Sequence, residues 1–115
     1  MTIKRLEPGK RFCGVVVHGD TVYVAGTVAP DTSQGVTGQT EQILKRIDSL
    51  LATAGSSKSR VLSANVYMAD IAKWDEMNVA WDKWVDPNNM PVRATIQAKL
   101  AQPQYLVEIM MIAAL

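Results

Sequence analysis

One cysteine, Cys13, and one histidine, His18, are all that this 115-residue chain offers in the way of soft metal ligands. A single thiol excludes an internal disulfide and any multi-cysteine zinc site, and a single imidazole makes a metal centre of any kind a poor expectation. No metal is therefore anticipated. A bias of charge is also absent: twelve Lys and Arg stand against eleven Asp and Glu, for a formal net charge of +1. The basic residues form no long run and do not alternate with aromatics, which speaks against a nucleic-acid surface and its basic stripe. No apolar run approaches the length of a membrane span, and Met1-Thr2-Ile3-Lys4-Arg5 lacks the apolar stretch of a secretory leader. Proline, glycine and serine never cluster into a linker. These absences leave one globular domain, residues 1–115, suited to a reducing cytoplasm, with neither nucleic acid nor membrane as a partner.

What is present is a regular alternation of patterns. Thr2–Leu6 reads as an opening strand. Cys13–His18 and Thr21–Gly26 are β-rich runs joined by a Gly19-Asp20 turn, hence a hairpin. Thr27–Val36 carries Pro30, Asp31, Ser33 and Gly35 and reads as a surface loop. A helix follows, capped by Thr37 or Thr40, with Ile43, Leu44, Ile47, Leu50 and Leu51 on one stripe and Gly55 as its left-handed stop. Val61–Met68 alternates as a strand. A second helix runs from Asp70 to about Val85, with Trp74, Met77, Trp81 and Trp84 forming a stripe that either packs on a sheet or makes an aromatic cofactor box, packing being the simpler reading. Strands over Arg93–Lys99 and Tyr105–Ala114 close the chain.

The order β-β-β-α-β-α-β-β predicts an α+β layer fold, with two helices on one face of a mixed sheet. The strands are apolar on both faces: Val15 and Val17 against Val16, and Val107, Ile109 and Met111 against Met110 and Ile112. Two helices cover one face only. The second face then needs another copy of the chain, unless the Thr27–Val36 loop folds over it.

Two charges interrupt the last two strands, Arg93 and Glu108. A carboxylate among Val, Ile and Met needs a partner, because desolvating an unpaired charge costs several kcal/mol even after relaxation (roughly). Arginine suits that task, since its planar fork binds a carboxylate bidentately. The residues leave two readings open. Either Arg93 and Glu108 form a structural ion pair, or Arg93 fixes a substrate carboxylate while Glu108 aligns a water or moves a proton. Cys13 reads as a small buried hydrophobe, His18 as an exposed residue by the turn, and Ser56-Ser57-Lys58-Ser59 as an exposed loop. Asn78 interrupts the tryptophan stripe and either reaches the sheet edge or lies on the surface.

A set of short motifs adds to this. Gly19-Asp20-Thr21-Val22-Tyr23-Val24-Ala25-Gly26, Leu51-Ala52-Thr53-Ala54-Gly55, Val66-Tyr67-Met68-Ala69-Asp70, Met77-Asn78, Pro91-Val92-Arg93-Ala94-Thr95 and Val107-Glu108-Ile109 span nearly the whole chain. In this order and spacing they resemble the Rid family, the reactive intermediate deaminases also called YjgF proteins. The resemblance implies a chorismate-mutase-like domain, a homotrimer with clefts between subunits, and hydrolysis of 2-imino or 2-enamino acids to 2-keto acids and ammonia without a cofactor. It implies Arg93 as the substrate-carboxylate clamp and Glu108 as the holder of the attacking water. Thr95 stands at a position that is often cysteine and contributes backbone contacts, while Asn78 and Gly26 line the cleft. Phe12 stands where a tyrosine is usual and Ala25 where a serine is usual, so two hydroxyls are missing. That loss keeps open a second function, a non-catalytic binder of small carboxylates or keto acids acting as a sensor or partner protein.

Overall fold

The structure, a computed structural model, describes all 115 residues. Six strands form one sheet: β1 (Ile3–Pro8), β2 (Cys13–His18), β3 (Thr21–Thr27), β4 (Val61–Met68), β5 (Val92–Gln97) and β6 (Val107–Ala114). Two helices, α1 (Val36–Ala54) and α2 (Trp74–Trp84), complete it. The spatial order is β1-β2-β3-β6-β4-β5, and only the β4–β5 pair is parallel. The expected element order and the mixed sheet are both found.

Topology explains why both helices share a face. The β3–α1–β4 and β4–α2–β5 connections step across the sheet in the same direction, and such crossovers between parallel strands are right-handed. Two right-handed crossovers advancing the same way place their helices on the same side. β6 then inserts antiparallel between β3 and β4. The β2–β3 hairpin turns at Gly19, whose φ of 62° fits the first central position of a type II′ turn.

Under the helices lies a core of Val15, Val22, Val24, Val66, Ile109 and Met111, met from above by Ile43, Ile47, Leu51 and Met77. The five-residue stripe expected on α1 is buried throughout. Gly55 ends that helix at φ 87°, with its N–H on the Ala52 carbonyl. The start differs from expectation. α1 begins at Val36, and neither Thr37 nor Thr40 caps it. Thr40 instead donates to the Val36 carbonyl one turn back, and Thr37 donates to the Glu76 carbonyl of α2.

Three further expectations shift. Asp70 accepts from Ala72 N–H and so opens a short 3₁₀ turn, Ile71–Lys73, rather than α2 itself. Trp74, the first residue of α2, is exposed, whereas Met77, Trp81 and Trp84 are buried, so the packed stripe starts at Met77. A register shift between Val61 and Ser63 buries Val61 and exposes Leu62, reversing the alternation at the start of β4. The loop after β3 does not close over the bare sheet face. Gln42 of α1 holds it, accepting from Asp31 N–H and donating to Asp31 C=O.

Gln39 is the buried polar side chain that locks this arrangement. Fully buried on α1, it donates to the carbonyls of Gln34 and Gln104 and accepts from Leu106 N–H at 3.0 Å. It thereby fixes the chain just ahead of β6, and with it the register of Glu108. Gln39→Leu preserves bulk but strands the Leu106 N–H. We expect a loss of about 1–3 kcal/mol, read as a lower urea midpoint at unchanged slope.

Candidate functional site

Strand pairing assigns each charged residue to a face. Arg93 pairs with Ala64 and Thr95 with Val66, and Ala64 and Val66 are buried beneath the helices. Arg93 and Thr95 therefore project to the helix-covered side, at the sheet edge. Glu108 pairs with Tyr67, on the opposite, uncovered side. The two charges lie on different faces of one sheet. An ion pair between Arg93 and Glu108 of the same chain, one of the two readings of the sequence, is thus excluded by strand geometry.

Arg93 has other company. Its Nη1 donates to Asn78 Oδ1 at 2.8 Å and lies 4.0 Å from the Met77 sulfur. Its guanidinium carbon sits 4.9 Å from the centre of the Trp81 ring. Asn78 thus reaches the sheet edge, one turn before Trp81 on α2, and the i, i+3 spacing lets both residues address one guanidinium. Partial burial holds the Arg93 pKa below its ordinary value, while the charge of Asp82 acts the other way. Arginine starts so far above neutrality that the group stays cationic. Met77, Asn78 and Trp81 form a cradle that orients the fork without neutralising it.

On the uncovered face, Glu108 lines a cavity of about 430 Å³ together with Phe12, Gly26, Tyr23 and Met110. Its position depends on a β-bulge. Between the Val24–Met111 and Thr27–Ile109 pairs, β3 uses one residue more than β6. The irregularity brings Gly26 against the Glu108 carboxylate so closely that a Cβ on Gly26 would overlap it. With a side chain at this position the Glu108 carboxylate would have to swing aside, so glycine leaves it this place against the backbone. Phe12, from the β1–β2 connection, is 67% exposed and forms the rim. Ala25 lines the same cavity and presents no hydroxyl there.

The residues singled out in the sequence therefore fall into two groups. Arg93, Asn78 and Thr95 lie at the β5 edge, whereas Glu108, Gly26, Phe12 and Ala25 lie on the bare face. Sequence reasoning missed Trp81 as the floor under Arg93, because a tryptophan stripe signals packing and its other ring face carries no signal. Cys13 is half-buried rather than buried, and His18 is exposed. No group of three or more His, Cys, Asp or Glu is placed to hold a metal ion, and no helix is long and apolar enough to cross a membrane.

Around the site the sheet carries unusual apolar exposure. Tyr23 is 42% exposed, Met110 41% and Ile96 50%, all on the side away from the helices. Scattered exposed hydrophobics are ordinary, but a contiguous sheet face of them marks an interaction surface.

Comparison with known proteins places this geometry. A family described as Endoribonuclease L-PSP matches residues 2–115. A RutC family protein of Haemophilus ducreyi is 46% identical over 113 residues, covering 98% of this chain and 97% of that one. The RutC family protein YoaB of Escherichia coli K12 is 41% identical over 114 residues, covering 99% of each. A solved YjgF family member from Neisseria meningitidis superposes with a TM-score of 0.96 at 34% identity, over 99% of this chain and 95% of that chain. An uncharacterized protein of Pseudomonas aeruginosa gives 0.94 at 39% identity, over 98% of both.

The fit of Gly26 against Glu108 can be tested as a cycle. Gly26→Ala should push the Glu108 carboxylate aside rather than strain the backbone, at a cost under about 1 kcal/mol. The same change in a Glu108→Ala background should cost less than half as much, because the atoms it meets are gone. Equal costs in both backgrounds, measured by urea unfolding, would show that Glu108 does not occupy this place.

Proposed function

The chain belongs to the Rid (YjgF) family, and on that premise we propose that it hydrolyses reactive 2-imino acids and their enamine tautomers to 2-keto acids and ammonia. The reaction takes place in clefts between copies of the chain, in a homotrimer. The observation that carries this reading is the split of the candidate residues between opposite faces. A ligand held by Arg93 cannot also meet Glu108 of the same chain. It can meet Glu108 of a neighbour whose bare face packs against the β5 edge. The uncovered apolar face supports such packing independently.

The chemistry asks little of the protein. An imine carbon is already electrophilic, so the site has to orient it, balance the substrate carboxylate and place a water. Arg93, steadied by Asn78 over Trp81, binds the carboxylate through its remaining N–H groups. Glu108 of the adjoining copy accepts a proton from water as the oxygen attacks C2 of the N-protonated imine, giving a carbinolamine with a neutral amine. Passing that proton to nitrogen turns the amine of the carbinolamine into a leaving group. Ammonia departs as the C2 hydroxyl loses its proton and becomes the keto oxygen. Thr95 contributes backbone contacts along the exposed edge of β5. No metal or cofactor takes part, and a reducing cytoplasm suits the lone thiol.

Phe12 and Ala25 favour one alternative, a binder of small carboxylates or keto acids without turnover. Keto-acid affinity with no acceleration of imine hydrolysis would select it. An RNA-cleaving role is not proposed, since a net charge of +1 gives little electrostatic attraction to a polyanion.

Two variants test the leading reading. Arg93→Lys keeps the charge but loses the fork, and should lose most substrate affinity with fold and assembly intact. Glu108→Gln should keep keto-acid affinity while turnover falls by about 10²–10⁴. Mixing the two inactive proteins under subunit exchange should restore activity, since about a quarter of randomly assembled clefts then pair an intact Arg93 with an intact Glu108. The readout is keto-acid release from imines generated by an amino-acid oxidase. A mixture as inactive as its components, with exchange confirmed, would sink the two-chain cleft. A monomer mass by light scattering at micromolar concentration would sink the trimer.

A further inference from the structure

A second, larger cavity of about 660 Å³ adjoins the Glu108 cavity and shares Phe12, Ala25 and Gly26 with it. It runs away from the sheet along one side of α1. Its helical wall consists of Gln42, Lys45, Arg46, Ser49 and Leu50, residues spaced i, i+3, i+4, i+7 and i+8, which is one face of a helix. The opposite wall is formed by the segment after β3 through Val28 and Pro30. Its ionisable lining is two cations, Lys45 and Arg46, with no acid.

The groove is also fixed in shape. Both hydrogen bonds of the Gln42 amide are spent on the Asp31 backbone, pinning the second wall to the first. Asp31 is the acid of the opposing loop; its Oδ1 accepts from the N–H and hydroxyl of Ser33, and it does not line the groove. Lys45 also faces Glu41 and Asp48 on its other side, so Arg46 is the less compensated charge. Together these make a rigid channel that starts at the reaction-side residue Gly26 and ends on cations.

From this we propose that the α1 groove receives the distal anionic group of the substrate, so that the preferred substrates are 2-imino acids with an acidic side chain. The proposal rests on the deaminase reading for where the reacting carbon lies. Arg93 takes the carboxylate next to the imine. The second carboxylate of a dicarboxylic imino acid passes over Gly26 of the adjoining copy, beside that copy's Phe12, toward its Arg46. An apolar side chain of similar length leaves both cations in water and gains only contact with Phe12 and Val28.

Calorimetry with the intact protein separates the possibilities, using 2-oxoglutarate and 4-methyl-2-oxopentanoate as product probes. Wild type is expected to bind 2-oxoglutarate at least about tenfold more tightly, the scale of one charge-assisted hydrogen bond. The double variant K45Q/R46Q should bring 2-oxoglutarate to the affinity of the apolar keto acid, at an unchanged melting temperature. Comparable binding of both probes by wild type, binding of neither, or a preference that survives K45Q/R46Q would overturn the proposal. Turnover is read separately on imines generated from glutamate and from leucine. Probe preference without turnover of either imine leaves the groove standing and removes the deaminase reading; turnover of both at equal rates does the reverse.

Discussion

Side chains on successive residues of a strand point to opposite faces, and two right-handed crossovers can shield only one of those faces. Most of what distinguishes this protein follows from that restriction. The covered face carries Val66, Ile109 and Met111 into a closed core. The bare face carries Tyr23, Met110 and Ile96 into water in the isolated chain. Arg93 falls on the first side and Glu108 on the second. A sheet one residue out of register at either strand would exchange these positions, putting a carboxylate under the helices or an arginine among bare apolar side chains. The charged residues are therefore tied to the fold's most basic constraint, and a cleft that uses both charges has to involve two chains.

Local devices then set the fine placement. Gln39 satisfies its whole amide inside the core and holds the segment ahead of β6. The bulge at the end of β3 turns Gly26 toward Glu108, so a carboxylate lies against backbone where a side chain would ordinarily stand. On the far edge, Asn78 and Trp81 share one helix face and hold one guanidinium between them. These contacts are polar or aromatic, and each adds direction to a position that hydrophobic packing alone would leave loose.

The pairing of a rigid cation with a carboxylate from elsewhere suits a substrate whose reactivity is intrinsic. Hydrolysis of an imine needs orientation and a placed water far more than covalent activation. A site built on one cation and one carboxylate is consistent with that demand. The missing hydroxyls at Phe12 and Ala25 alter the walls of the cavity and leave both charged residues in place. On the proposed reading, selectivity falls to the walls, which include the basic groove along α1.

By itself the sequence determined the periodic parts of this protein. Alternation defined the strands, the 3.6-residue stripe defined both helices, and Gly19 and Gly55 marked a turn and a helix end, because each signal arises between neighbours along the chain. Two-sided apolar strands already implied an unfilled face, and the ordered motifs around Gly26, Asn78, Arg93 and Glu108 already implied the family. Tertiary structure decided what depends on pairing between distant segments. The faces of Arg93 and Glu108 follow from which residues they oppose on β4, which no local pattern specifies. The bulges at Gly26 and Leu62 and the burial of Gln39 likewise arise from register and hydrogen bonds to remote backbone. Lys45 and Arg46 read as ordinary solvated helix residues until a loop twelve or more residues away walls them into a groove with Gly26. Periodicity reports a residue's own element, whereas its chemical neighbours are fixed only when elements meet.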